Sequence, residues 1–236
     1  MAHSLQFISK RFEAEMHKGK FQDRIEAGRL LAKKLTKYAD KNPVILALPR
    51  GGLPLGAEIA AALKAPLDIL AVKKIGAPGH PEFAIGAISE DGILILNEEL
   101  ISAVDPARRY ISNAAKMKAE ELQKQVDAFR RVRPLISVKG RTVILVDDGL
   151  ATGATMEAAV KVLRQRQVKE IIIAVPVASL EAFWNLKAKV KELVALIVPQ
   201  EFYAVGLWYD DFSEVTDEEA IAFLGLSGRS AGSIVA

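Results

Sequence analysis

Between residues 43 and 198, short apolar runs alternate with amphipathic stretches, and few folds accept that order. The runs 44–48, 67–72, 142–146, 170–175 and 193–198 are strand-sized and apolar on both faces. A strand apolar on both faces belongs in a parallel sheet that is covered on both sides. Ahead of them, Phe21, Ile25, Leu31, Leu35 and Tyr38 recur at roughly helical spacing and predict an amphipathic helix over 23–39, and between them 55–63, 155–164 and 180–190 read as helices. Alternating strands and helices predict βαβ units with right-handed crossovers. The expected class is therefore α/β: an open parallel sheet with helices on both faces.

Other segments frame that core. Asp105-Pro106 suits a helix start, and the stripe Ala107, Tyr110, Ile111, Ala114, Leu122, Val126 and Phe129 predicts one long helix ended by Pro134. Residues 73–92, with glycine at 76, 79, 86 and 92, lack a strong helical pattern. They predict a mobile functional loop with a short hairpin around 84–96. A last helix begins at Thr216 or Asp217, and 227–236 reads as a frayed tail. One domain spans 1–236, its core at about 43–198, with 1–21 and 201–224 available as an appended hood.

Composition removes several classes of function. No run approaches the ~20 apolar residues of a membrane helix, and 1–11 lacks the apolar centre of a signal peptide. Cysteine is absent, which excludes disulfides and thiolate metal sites and makes a cytoplasmic location the default. A formal net charge of +3 predicts no nucleic-acid surface, and Lys33, Lys34 and Lys37 read as a solvated helix face.

The chemistry concentrates in Val143-Ile-Leu-Val-Asp147-Asp148-Gly149-Leu150-Ala151-Thr152-Gly153-Ala154-Thr155. Two acids stand at the carboxyl end of a buried strand, where open α/β sheets bind ligands. The loop then enters a helix N-terminus, whose N–H groups and dipole favour phosphate. Gly149 and Gly153 let backbone approach an anion, and Thr152 and Thr155 add hydroxyls. Adjacent carboxylates would repel that phosphate, so they must face hydroxyls or a divalent cation. A ribose diol beside its own 5-phosphate meets both demands. There is no P-loop Gly-Lys-Ser/Thr and no G-x-G-x-x-G. The plainer alternative is a strand ending in an Asx-turn and a capped helix.

At these residues the chain resembles the type I phosphoribosyltransferase family, whose signature is an apolar strand, two acids, a few small or apolar residues and Thr-Gly-x-Thr. The resemblance covers about 43–198 and implies a five-stranded parallel sheet. It implies that Asp147 and Asp148 hydrogen-bond the ribose of phosphoribosyl pyrophosphate, and that Leu150, Ala151, Thr152, Gly153, Ala154 and Thr155 cradle its 5-phosphate. It further implies a Mg²⁺ cofactor, met by the two acids only indirectly, through ribose or water.

Strand 44–48 ends in Leu48-Pro49-Arg50-Gly51-Gly52. Free amides beside a guanidinium can hold pyrophosphate, although Pro-Arg-Gly-Gly is also a plain turn. The family places its pyrophosphate loop here, often with a strained peptide, and Arg50-Gly51 is the bond expected to be cis. Lys73 and Lys74 stand where the family has basic residues, and equally read as a snorkelling pair. The flexible loop of the family would be 75–92; His80 within it has no companion ligand and suits a conformational role. Ala151 replaces the aspartate of the hypoxanthine-guanine branch. The adenine branch draws its acid from the flexible loop, where Glu82 and Glu90 are the candidates, and both also read as solvated acids.

Leu-Pro-Arg-Gly-Gly, Lys-Ile-Gly-Ala-Pro-Gly-His-Pro-Glu and Phe-Tyr-Ala-Val-Gly together resemble a loosely defined branch of the family that names no acceptor. The aromatic cluster 202–212 either stacks an acceptor base or buries a core or subunit contact. The expectation is a transferase moving the phosphoribosyl group to a nitrogenous acceptor of purine type, with a homodimer as its assembly and no nucleic-acid or membrane partner. The alternative is a non-catalytic sensor of phosphoribosyl pyrophosphate or a nucleotide. A phosphohydrolase would need a water-activating base that the sequence does not offer.

Overall fold

In a computed structural model, residues 20–104 and 108–226 are described, apart from the side chains of Pro81, Glu82, Ala103, Val104 and Leu226. The expected helix start at Asp105-Pro106, the segment 1–19 and the tail 227–236 lie outside the described residues. Five strands form the main sheet: β1 (Val44–Ala47), β2 (Leu67–Ile69), β6 (Thr142–Val146), β7 (Glu170–Val177) and β8 (Glu192–Ile197). Their order is β2-β1-β6-β7-β8, and every neighbouring pair is parallel.

Each strand feeds two cores, because successive side chains point to opposite faces. Ile45, Ala47, Ile144, Val146, Ile172 and Ala174 join one core with helices α1 (Arg24–Leu35), α2 (Gly52–Leu63) and α7 (Asp217–Leu226). Val44, Leu46, Val143, Leu145, Ile171 and Ile173 join the other with α5 (Ala154–Gln165) and α6 (Leu180–Lys187). Each fully buried aliphatic side chain contributes about 1.5–3 kcal/mol. Helix α1 is capped by Asp23, which accepts the Glu26 amide at 2.7 Å, and it passes into a 3-10 turn at Thr36–Lys41. Helix α2 starts earlier than its apolar pattern suggests, since Pro54 fits the first turn.

Residues 73–92 are not a structureless loop. Strands β3 (Val72–Ala77), β4 (His80–Ser89) and β5 (Leu94–Leu96) make a second, antiparallel sheet. Ile75, Ala77, Ile85 and Ile88 are buried against Ala115, with Tyr110 and Ile111 alongside. Gly86 suggests a loop in the sequence but is a close-packing position, where a Cβ would stand 2.7 Å from the Ile95 carbonyl oxygen. Helices α3 (Glu98–Val104) and α4 (Arg108–Val132) follow, and Tyr110 on α4 donates its hydroxyl to the Gly76 carbonyl at 3.0 Å.

The second sheet is anchored to the first by a buried ion cluster. Arg130 of α4 donates to Asp68 Oδ1 at 2.7 Å, and to Glu90 Oε2 and Oε1 at 2.5 and 2.8 Å. Asp68 and Glu90 have almost no exposed side-chain surface. Burial pushes the Asp68 carboxyl up, opposed by the Arg130 charge and by the Ile136 amide. Removing one partner strands buried charge. Arg130→Ala is therefore expected to lower stability by about 3–5 kcal/mol, read as a shifted urea midpoint.

Candidate functional site

Strand β6 is the central strand, and its chain leaves the sheet at Asp147-Asp148. The Asp148 amide donates to Asp147 Oδ1 at 2.9 Å, so the first acid folds back on its neighbour. Leu150 is pinned through its amide to the Val177 carbonyl and through its carbonyl to the Ser179 amide, both at 2.9 Å. Ser179 caps α6 and also donates its hydroxyl to the Ala151 carbonyl at 2.6 Å. The loop 149–153 is thus braced from the end of β7. Gly153 enters α5 at φ +73°, a conformation that suits glycine, and offers no capping side chain, while Thr152 Oγ1 accepts the Ala154 amide at a long 3.4 Å. The first-turn amides beyond Ala154 are left for another acceptor. Ala151, Thr152 and Thr155 are exposed there.

The expected pyrophosphate loop lies directly against this pair. A Cβ on Gly51 would collide with Asp148 Oδ2, and one on Gly52 would stand 2.6 Å from the Val146 carbonyl oxygen. Glycine is required at both by packing. Thr155, Leu48, Pro49, Leu70, Ala71 and Val72 line one small cavity, so the two loops share a wall. The cis peptide lies one bond earlier than expected, between Pro49 and Arg50. Arg50 pairs with Glu214 and, at 3.5 Å, with Asp217, the first residue of α7. Thr216 caps that helix, accepting the Glu219 amide at 3.2 Å while Glu219 accepts the Thr216 amide at 2.9 Å.

The other expected residues are placed less uniformly. Lys73 of β3 pairs with Glu121 at 3.1 Å, and Lys74 is a half-buried neighbour on the same strand. Glu90 is committed to Arg130 and buried, which removes it from the set of solvated loop acids. The side chain of Glu82 lies outside the described residues. Among the described residues, no three of His, Cys, Asp and Glu gather into a metal cage.

Arg24 belongs to the site although no sequence motif includes it. It opens α1, where the helix dipole disfavours a cation, and that misplacement is the one signal the sequence offers. Its Nε donates to Asp148 Oδ2 at 2.9 Å, its Nη2 forms an ion pair with the same oxygen at 2.9 Å, and Nη1 donates to the Ser213 carbonyl at 2.7 Å. The guanidinium carbon lies 3.9 Å from the Phe212 ring centre. Tyr209, buried between Phe21 and Phe212, donates its hydroxyl to the Asp148 carbonyl at 2.7 Å. Val205 rests on Gly149. Of the cluster 202–212, Tyr209 is core, Phe202, Trp208 and Phe212 pack against the core, and Tyr203 is 79% exposed.

Burial, and then the Asp148 charge, holds the Asp147 carboxyl well above its ordinary range; the Asp148 amide and Arg24 pull it down less strongly. Asp148 is raised by burial as well, against the pull of Arg24. A carboxyl raised on folding stabilises the fold while protonated, and that contribution is lost as pH rises through the folded pKa. Asp147→Asn should therefore melt higher than the parent protein at pH 7. The gap should close below about pH 4, where the unfolded carboxyl is protonated too, as followed by thermal circular dichroism.

Comparison with known proteins agrees with this geometry. A family model described as "Phosphoribosyl transferase domain" matches residues 21–206. Two relatives from Mycobacterium tuberculosis strains CDC 1551 / Oshkosh and ATCC 25618 / H37Rv, both named "Putative phosphoribosyl transferase", are 40% identical over 209 residues. That alignment covers 89% of this chain and 47% of each relative, so the chain spans about half their length. The crystal structure of TT1426 from Thermus thermophilus superposes with a TM-score of 0.82 at 47% identity, covering 88% of this chain and 98% of that one. Paired acids at the end of a central parallel strand, a helix mouth without an N-cap side chain and a match to the family along most of the chain agree: the protein belongs to the phosphoribosyl transferase domain family.

Proposed function

We propose that this chain is a magnesium-dependent phosphoribosyltransferase of the cytoplasm, moving the phosphoribosyl group of phosphoribosyl pyrophosphate to a nitrogenous acceptor of purine type. The reading is carried by one juxtaposition: Asp147 and Asp148 adjoin both the α5 mouth and the Arg50-Gly51-Gly52 turn. In this role the two acids accept the ribose hydroxyls, and Leu150–Thr155 cradles the 5-phosphate. Arg50 and the Gly51 amide receive the pyrophosphate, with Lys73 and Lys74 adding positive charge; the Gly52 amide is spent on the Leu48 carbonyl at 3.0 Å, so Gly52 serves by letting the turn pack closely. Asp147 and Asp148 would hold magnesium through ribose or water, and the bound ion would supply positive charge to offset that of the leaving group.

A bond forms between the acceptor nitrogen and the sugar C1 as the C1–O bond to pyrophosphate breaks. The electron pair leaves with pyrophosphate, and the acceptor proton passes to a base. Because Glu90 is occupied by Arg130, Glu82 is the loop acid retained for that role. Positioning and electrostatics carry the catalysis, with no covalent enzyme intermediate. The single-domain organisation, with a hood built from 1–21 and 201–224 and a homodimer as the assembly, belongs to the same proposal.

A second reading is favoured by one observation. Asp148 is paired with Arg24, and Arg50 with Glu214 and Asp217, so ligand binding must rearrange contacts that a sensor could transmit. Titration calorimetry with phosphoribosyl pyrophosphate and Mg²⁺, followed by pyrophosphate release across a panel of bases, separates the two. Release with one acceptor is the expected result; binding without release for every base would favour the sensor. Asp148→Asn and Thr155→Ala should each weaken binding on the order of 10- to 100-fold, and unchanged affinity in both would refute the site. Gly51→Ala, which drives a methyl group into Asp148 Oδ2, should lose comparable affinity in the same titration.

A further inference from the structure

We propose that Arg24 is a positioning residue for the transfer reaction: its guanidinium fixes the Asp148 carboxylate for the ribose and couples it to the segment 209–213. The proposal rests on the phosphoribosyl pyrophosphate reading above. Arg24 lies 124 residues from Asp148 in sequence, on a helix outside the sugar-phosphate motif. Its side chain is 11% exposed, although arginine at the first position of a helix normally reaches into water. Hydrogen bonds from Nε and Nη1, the ion pair of Nη2 with Asp148 and a ring contact hold it inward.

Nε and Nη2 converge on a single oxygen, Oδ2. A guanidinium can instead span both carboxylate oxygens side by side. Here Oδ1 is not taken by Arg24, so one oxygen of the pair is fixed by protein and the other is left to accept a hydroxyl. The Gly51 backbone packs closely against the same carboxylate, since a Cβ there would collide with Oδ2. The third nitrogen, Nη1, is bound to the Ser213 carbonyl, and the guanidinium lies over the Phe212 ring. Tyr209, three residues before Phe212, holds the Asp148 carbonyl. Movement of the 209–213 segment therefore moves the groups that orient Asp148, and Arg24 is the shared part.

The measurements are KM for phosphoribosyl pyrophosphate, its calorimetric affinity and kcat, for Arg24→Gln, Arg24→Lys, Asp148→Asn and the double variant Arg24→Gln/Asp148→Asn. Arg24→Gln should raise KM and Kd roughly tenfold with a smaller change in kcat. Arg24→Lys keeps the charge without the fork and should recover part of the loss. Because Arg24 acts through Asp148, the double variant should bind no worse than Asp148→Asn alone, a non-additivity that loss of packing would not produce. Should Arg24→Gln fail to fold, Arg24→Lys carries the same cycle, and its additive combination with Asp148→Asn would overturn the proposal. Unchanged KM and Kd in a folded Arg24→Gln, beside weakened Asp148→Asn, would overturn the role of Arg24 alone. Absence of binding by the parent protein would remove the functional reading and this inference together.

Discussion

Two consecutive carboxylates at the mouth of a buried strand govern the rest of this structure. In a low-dielectric setting, neighbouring negative charges repel and each loses its hydration. The fold meets that difficulty with three groups: the Asp148 amide on Asp147, the Arg24 fork on Asp148, and the Tyr209 hydroxyl on the backbone between them and the loop. Those groups come from the strand end, the first helix and the segment after the last sheet strand. Distant parts of the chain are thus drawn to one point by charge, as well as by the apolar cores on either face of the sheet.

The second sheet answers a different constraint. β2 leads almost directly into β3, so the antiparallel strands need a rigid attachment to avoid swinging about that short connection. Arg130 supplies it by gripping Asp68 on β2 and Glu90 at the β4–β5 turn. The Glu90 amide adds a bond to the Ala71 carbonyl at 3.2 Å. A residue that looked like a candidate acid is instead a strut. Fixing the base of these strands also fixes Val72 and Ala71, which form part of the cavity wall beside Thr155.

Much of this was legible in the chain because local rules and the global fold agree. Residues 142–146 are apolar throughout, and the strand is found at Thr142–Val146. Helices and parallel strands fell within a few residues of their expected bounds, the differences lying at element ends, where chains fray. The hairpin expected around 84–96 is present as β4–β5, but its pairing with β3 is hidden by glycines that read as loop, because a glycine chosen for close backbone packing and one chosen for a turn look alike in sequence. Arg24 was hidden for another reason. Its partner is remote, and the one local hint, a cation at a helix start, does not say which acid holds it. The aromatic cluster was read as either platform or core; Tyr209 is core, while Tyr203 stays exposed.

Arg50 carries a consequence of its own. Its partners Glu214 and Asp217 are 78% and 62% exposed, so water and dissolved ions reach the pair freely. Raising ionic strength loosens this resting pair and, at the same time, weakens the attraction between Arg50 and any arriving polyanion. The two effects act in opposite directions on occupancy. In the pyrophosphate role proposed for Arg50, these two surface acids would damp the response of anion affinity to surrounding salt.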